Sequence, residues 1–347
     1  AMNRSALLLP LIIAANVGGT ATLIGDPPNI LVGSAAGLGF TDFLLNLAVP
    51  VGFMLLALER LSAHWYRHAL AAGRPADLHV DAAVTDPVLL RWALGISALV
   101  FLGFLTHTVT GMPASVAAAM GAAALLLVQD LLYLRRHRPS HAERVHGILE
   151  VLEREIEWPT LAFFAFLFIA VGAAVETGLI DTIAGGLSTV IRSGAVAWQL
   201  TPAGTLVFAA LVILWTAGVM SALIDNIPFV AVSIPIVGTL AGELPGETTV
   251  LWWALALGAC LGGNGSPVGA SANVTVIGLA ERGGYRIRFG EFLRFGAPVT
   301  LLTLVAATGF LIAHVHAGPA APFRTGGLLL LVLLLLRWAL PRRQPRS

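Results

Sequence analysis

The chain has 347 residues, 57% of them hydrophobic and 11% charged, with a net charge of +1. A soluble domain carries roughly 25% charge, so this composition excludes one and makes the lipid bilayer the expected environment. The near-zero net charge gives no reason to expect a nucleic-acid partner. The one cysteine, Cys260, has no intrachain disulfide partner, and its place in an apolar run gives it a packing role.

Taken in chain order, the first apolar run covers 6–36. Its opening, Ala1-Met2-Asn3-Arg4 before Leu7–Ile13, also has the form of a signal peptide. The run leads straight into Gly18-Gly19-Thr20-Ala21-Thr22-Leu23-Ile24-Gly25-Asp26-Pro27-Pro28-Asn29, however, and cleavage would part that motif from its own helix. Further runs cover 43–62, 88–107, 113–134 and 158–176. Segment 177–194, carrying Asp181 and Arg192, reads as an interfacial helix or loop. Runs 201–222 and 226–242 meet at Ser221-Ala222-Leu223-Ile224-Asp225-Asn226-Ile227-Pro228 and form a hairpin. A polar, proline-bearing turn at membrane depth is tolerable only where protein buries it or a cavity borders it.

Run 249–281 contains Gly262-Gly263-Asn264-Gly265-Ser266-Pro267-Val268-Gly269-Ala270-Ser271-Ala272-Asn273, which repeats the glycine and asparagine spacing of the first motif at an offset of 244 residues. The likeness continues downstream, where Phe40–Leu44 and Pro50 answer to Phe289–Leu293 and Pro298. Runs 293–314 and 325–340 close the chain.

Arginine sorts the loops. Arg60, Arg67, Arg74 and Arg91 flank the first long loop and Arg135–Arg154 fill the second; Arg282–Arg294 follow the second motif and Arg337–Arg346 end the chain. These four regions are expected on the cytoplasmic side, and the arginine-poor loops 36–42, 107–112, 241–249 and 314–324 outside. The two motifs then cross the bilayer in opposite directions, as inverted repeats do.

The fold class is therefore an all-α polytopic membrane protein with inverted-topology repeats, a re-entrant hairpin and broken helices. The expected organisation runs as follows: a broken transmembrane helix over 1–36, three transmembrane helices over 37–134, a cytoplasmic connection over 135–157, a transmembrane helix with an interfacial segment over 158–200, the outer hairpin and second broken helix over 201–281, and two transmembrane helices over 282–347.

The chemistry is expected at the breaks. Prolines remove amide donors, glycines permit tight backbone, and a helix broken in mid-membrane frees carbonyls for a cation and a half-helix N-terminus for an anion. The candidate residues of the first break are Thr20, Thr22, Gly25, Asp26, Pro27 and Asn29. Those of the hairpin are Ser221, Asp225 and Asn226, and those of the second break are Asn264, Ser266, Gly269, Ser271 and Asn273. A carboxylate inside a membrane marks function by default, although Asp26 and Asp225 also fit as helix caps. Na⁺ is expected at Asp225, Asn226 and Asn273, and Na⁺ or H⁺ is the coupling ion, with no other cofactor. Histidines 107, 314 and 316 fall in expected outer loops, where solvation is the default. His141 and His146 form only a loose metal spacing. Trp65, Tyr66, Trp92, Trp158, Trp252, Trp253 and Trp338 stand near span ends as interface anchors do.

The first motif and Ser221–Asn226 resemble the ion-transporter superfamily that holds arsenite permeases, NhaD-type sodium/proton antiporters, the melanosomal P-protein, citrate permeases and sodium/dicarboxylate symporters. They look most like its arsenite permease and P-protein branch. The resemblance implies a homodimer in which hairpin tips and helix breaks hold a small inorganic ion or small anion, within a domain that moves like an elevator. It also implies a multi-pass protein, here of a bacterial inner (plasma) membrane. It departs at Gly269–Asn273, which lacks the paired prolines.

By that pattern a matching hairpin and about three scaffold segments belong upstream of residue 1, and residues 1–347 alone are expected not to transport. Carboxylates at Asp26 and Asp225 rank arsenite or Na⁺/H⁺ exchange above citrate or dicarboxylate uptake. A channel or a non-transporting subunit is the remaining alternative. An intramembrane enzyme is disfavoured, because neither His-Glu-x-x-His nor Gly-x-Gly-Asp occurs.

Overall fold

A computed structural model describes residues 5–68, 86–137 and 158–318. The described residues form helices and their connections, with no strand among them: α1 Ser5–Gly19, α2 Pro27–Ala36, α3 Phe40–Trp65, α4 Pro87–Thr110, α5 Ala114–His137, α6 Trp158–Glu176, α7 Leu179–Ala197, α8 Pro202–Leu223, α9 Asn226–Glu243, α10 Thr249–Gly262, a 3₁₀ turn Gly263–Gly265, α11 Ser271–Arg282 and α12 Phe289–Ala317. Helices α3, α4, α5, α8, α9 and α12 are long and apolar enough to cross a membrane. The chain is thus an all-α polytopic membrane protein.

It divides into two compact units, one of Ala1–Arg74 with Ala170–Ser347, the other Pro75–Ile169. In the smaller unit α4 and α5 pair through small residues, Gly103 against Ala117 and Gly121 against Val100. Their tight link needs Gly111 in the left-handed region, at φ 68°. Asp86 caps α4 by accepting from the amides of Val88 (3.0 Å) and Leu89 (3.1 Å), and the Arg136 guanidinium closes on the same carboxylate. Arg136 and the Leu89 amide hold the Asp86 carboxyl down at about 2.

The larger unit is organised around α10. This helix is apolar on every side, as a core helix or a span can be, and its 14 residues are too few to cross a bilayer. Twelve of its residues are buried, among them Trp253, whose ring meets Phe43 edge-on at 5.0 Å. Helices α8, α9, α12, α1 and α2 all pack against it. The α8–α10 contact is close: a Cβ at Gly262 would run into the backbone of Gly218. Helix α7 lays Ile180, Ala184, Ser188 and Ile191, one face at helical spacing, against α8 and α9. Its outer surface carries Arg192, which reaches Glu243 of α9 at 3.1 Å beside the Ser188 hydroxyl.

Three expectations from the sequence change. Trp253 is a core residue rather than an interface anchor, because the helix it sits on is surrounded by others. His314 is buried within α12, which runs through to Ala317 instead of ending at a loop, and only His316 is exposed there. His107 lies in the last turn of α4 rather than in a loop. The expected span at 325–340, the 138–157 portion of the connection with His141 and His146, and Trp338 fall outside the described residues.

Candidate functional site

Two interrupted helices meet in the larger unit, and each interruption is built by the same rules. In the first, α1 stops at Gly19 and α2 restarts at Pro27. Side chains are excluded where the chain doubles back, since a Cβ at Gly19 would strike the Gly25 carbonyl and one at Gly25 the Gly19 carbonyl. The Gly25 amide donates to Thr22 O at 3.2 Å. The Asn29 amide nitrogen reaches back to the carbonyls of Gly19 (3.3 Å), Thr20 (3.3 Å) and Thr22 (2.9 Å), which the break leaves without helical partners. Asp26 takes the extended N-cap position at φ −147°, ψ 136°, yet its carboxylate makes no capping bond.

The second interruption repeats this position for position. A Cβ at Gly263 would fall 2.8 Å from Gly269 O, and one at Gly269 would fall 2.7 Å from Gly263 O. The Gly269 amide donates to Ser266 O at 3.3 Å. The Asn273 amide nitrogen holds Gly263 O (2.8 Å) and Ser266 O (2.9 Å). Ala270, equivalent to Asp26, has φ −149° and ψ 143°. The backbone therefore survives loss of the paired prolines, and the copies differ in charge: the acid of the first break becomes an alanine in the second.

The two interruptions also hold each other. The Asn16 amide nitrogen of α1 donates to Asn273 Oδ1 (2.8 Å) and Asn264 Oδ1 (2.9 Å) of the second break. Its counterpart at the 244-residue offset is Cys260, whose Sγ lies 3.3 Å from Asn29 Oδ1 and also against Thr20, the equivalent of Asn264. Position i of each copy thus binds positions j and k of the other. Such reciprocity is what a two-fold relation generates and a simple translation does not.

The α8–α9 hairpin covers both breaks. Its turn is capped by Asp225, which accepts from the Ile227 amide at 3.1 Å. The end of α8 sits over the second break: Ser221 donates to Ala259 O at 2.6 Å, and a Cβ at Gly265 would fall 2.6 Å from Ala222 Cβ. The start of α9 faces the first break, where Asp26 interacts with Asn226, Cys260 and Asp225.

Of the residues singled out in the sequence, Thr20, Asp26, Asn29, Ser221, Asn226, Asn264, Ser266 and Asn273 are brought together in the interior. Thr22 and Asp225 are half-buried at the edge, and Pro27 and Ser271 are exposed on the first turns of their helices. Gly25 and Gly269 shape backbone.

Among the described residues, the buried polar atoms with no hydrogen-bond partner gather here: Asp26 Oδ2, Asn226 Nδ2, Asn264 Nδ2, Ser266 Oγ and Thr300 Oγ1, with His314 the exception. Buried polar groups are normally paired, so this cluster marks the two breaks off from the rest of the interior. Sequence reasoning missed Asn16, the Cys260 contact and Thr300. Asn16 had a signal, an amide at the offset of Cys260 in an otherwise apolar run, whereas Thr300 had none.

Comparison with known proteins agrees in class. The profile of a family described as "Citrate transporter" matches residues 1–258. An uncharacterized transporter of Mycobacterium tuberculosis is 39% identical over 316 residues, covering 89% of this chain and 67% of its own length. An uncharacterized transporter of Synechocystis is 30% identical over 327 residues, 88% of this chain and 67% of its own. The human P protein is 28% identical over 393 residues, 90% of this chain and 44% of its own. The chain therefore spans about two thirds of those bacterial relatives and less than half of the P protein.

Proposed function

From the premise that this chain belongs to the citrate transporter family, as a transporter and not an enzyme, we propose that it serves a cation-coupled secondary carrier of a small anion working by alternating access. The observation that carries the reading is the first break. There the buried Asp26 carboxylate interacts with the Asn226 side chain, although Asp26 Oδ2 and Asn226 Nδ2 close no hydrogen bond of good geometry, and Asp225 lies within electrostatic range. Two carboxylates held near each other at membrane depth repel one another until a cation or proton joins them.

Repulsion by these same acids ranks citrate-like substrates below arsenite or Na⁺/H⁺ exchange. It loses force at the second break, where alanine replaces Asp26. Na⁺/H⁺ or arsenite exchange stays as the second reading, favoured by the buried carboxylate itself. Elevator movement of the hairpin and breaks rests on the superfamily resemblance, as does residence of the homodimer in a bacterial inner membrane.

The test is flux in proteoliposomes holding the full-length protein, with citrate, arsenite and Na⁺ offered across imposed Na⁺ and pH gradients. Gradient-driven, saturable movement is expected. Asp26→Asn is expected to abolish the gradient dependence, and Asp225→Asn to weaken it at least tenfold. Ungated flux that neither substitution alters would mean a channel and end the carrier reading.

A further inference from the structure

Amide orientation follows here from groups that can act in one sense only. Backbone carbonyls accept and never donate, so the end of Asn273 that meets Gly263 O and Ser266 O is its nitrogen. Its other end, facing Asn16, is an acceptor, and Asn16 must present its nitrogen. The same nitrogen meets Asn264, which must present its oxygen. Asn264 Nδ2 is then turned away from Asn16, fully buried and without a partner. Asn264 flanks Gly265, as does Ser266, and a Cβ at Gly265 would come 3.7 Å from Thr300 Oγ1. Ser266 and Thr300 are 5% and 7% exposed, and both hydroxyls also lack partners. Three buried donors without partners therefore belong to the two chain neighbours of Gly265 and to Thr300 beside it, at a break that carries no acid of its own.

We propose that Asn16 is a positioning residue that sets the polarity of the second break: by occupying Asn264 Oδ1 it presents Asn264 Nδ2, together with the Ser266 and Thr300 hydroxyls, to a carboxylate or other oxyanion oxygen of the substrate. The two copies of one backbone motif thereby divide the work, with the coupling cation at the acidic first break and the anionic group at the donor-lined second. This assignment rests on the carrier reading above. Thr300 belongs to neither motif nor hairpin, and it brings α12 into the binding site.

The test is thermal shift of the purified full-length protein in detergent, with citrate and Na⁺ titrated separately as probes. Citrate is expected to raise the melting temperature of the wild type saturably. Asn264→Asp, which replaces the donor by a negative charge, is expected to weaken the citrate response at least tenfold while leaving the Na⁺ response in place. The Ser266→Ala/Thr300→Val pair is expected to act in the same direction and covers the case in which Asn264→Asp does not fold. Asn16→Ala frees Asn264 to turn and is expected to raise the citrate Kd about tenfold and the Na⁺ Kd by clearly less; an equal loss of both would mean a purely structural role and overturn the assignment. Wild-type citrate affinity in Asn264→Asp or in the double variant overturns the assignment. So does a wild type indifferent to citrate whose gradient-driven flux persists, an outcome that leaves the carrier itself standing.

Discussion

A primary amide has a donor end and an acceptor end, and at Asn29 and Asn273 each end is fixed by a different neighbour. The nitrogens close carbonyls that the helix breaks would leave open, and the oxygens receive Cys260 and Asn16. Removing either asparagine should therefore cost more than one hydrogen bond. Asn29→Ala and Asn273→Ala are each expected to lose roughly 2–4 kcal/mol, since several buried partners are left unpaired at once. Denaturation of each variant in detergent measures it, and a loss below about 1 kcal/mol for both would mean the breaks do not need them. The spacing of these asparagines was legible in the sequence, but their direction was not. Sequence alone makes Asn29 a candidate binding residue and places Na⁺ at Asn273, whereas packing turns both amide nitrogens onto the backbone. Which end of an amide faces a site depends on neighbours hundreds of residues away.

Helices were legible wherever an apolar run ended in a punctuating residue. Hairpin legs α8 and α9 match their expected bounds because Asp225 supplies a cap and Pro202 a start. Helix α12 overran its expected end because two histidines read as a loop when counted by polarity; His314 faces inward against Phe310, at 5.6 Å between ring centres. The α4–α5 pair offers a pH test. Asp86 titrates at about 2 in the folded protein, below its ordinary value of 3.8. Its contribution is therefore fully present above pH 4 and lost as pH falls through 2. Asp86→Asn should lower the melting temperature at pH 7, and the gap to the wild type should close on acidification across that window. A gap that widens in acid would show that Arg136 is not the partner that matters. The Arg192–Glu243 pair is solvent-exposed on the arginine side, and Arg192→Ala is expected to leave the melting temperature nearly unchanged.

At the scale of the molecule, the duplication and its opposed orientation were both inferred from glycine spacing and arginine placement. The sequence did not reveal that the copies grip each other. This mutual hold makes the breaks cooperative, because loosening one withdraws a partner from the other. Cys260 is fully buried against the first break and gives a direct probe. Its alkylation by a membrane-permeant maleimide should be at least tenfold faster in Asn273→Ala than in the wild type, although Asn273 belongs to the other copy. An unchanged rate would show that the two breaks open independently.

The same hold sets a timetable for biosynthesis. Asn16 must wait for Asn273, 257 residues later in the chain, and Asn29 must wait for Cys260, 231 residues later. At a ribosomal pace of 5–20 residues per second the first delay lasts roughly 13–50 s. Throughout that interval α1 and α2 lie in or beside the insertion machinery with an amide, a thiol acceptor and a carboxylate still lacking their partners. The nascent first break thus needs shelter for its polar groups at the translocon until Cys260 and Asn273 have been made.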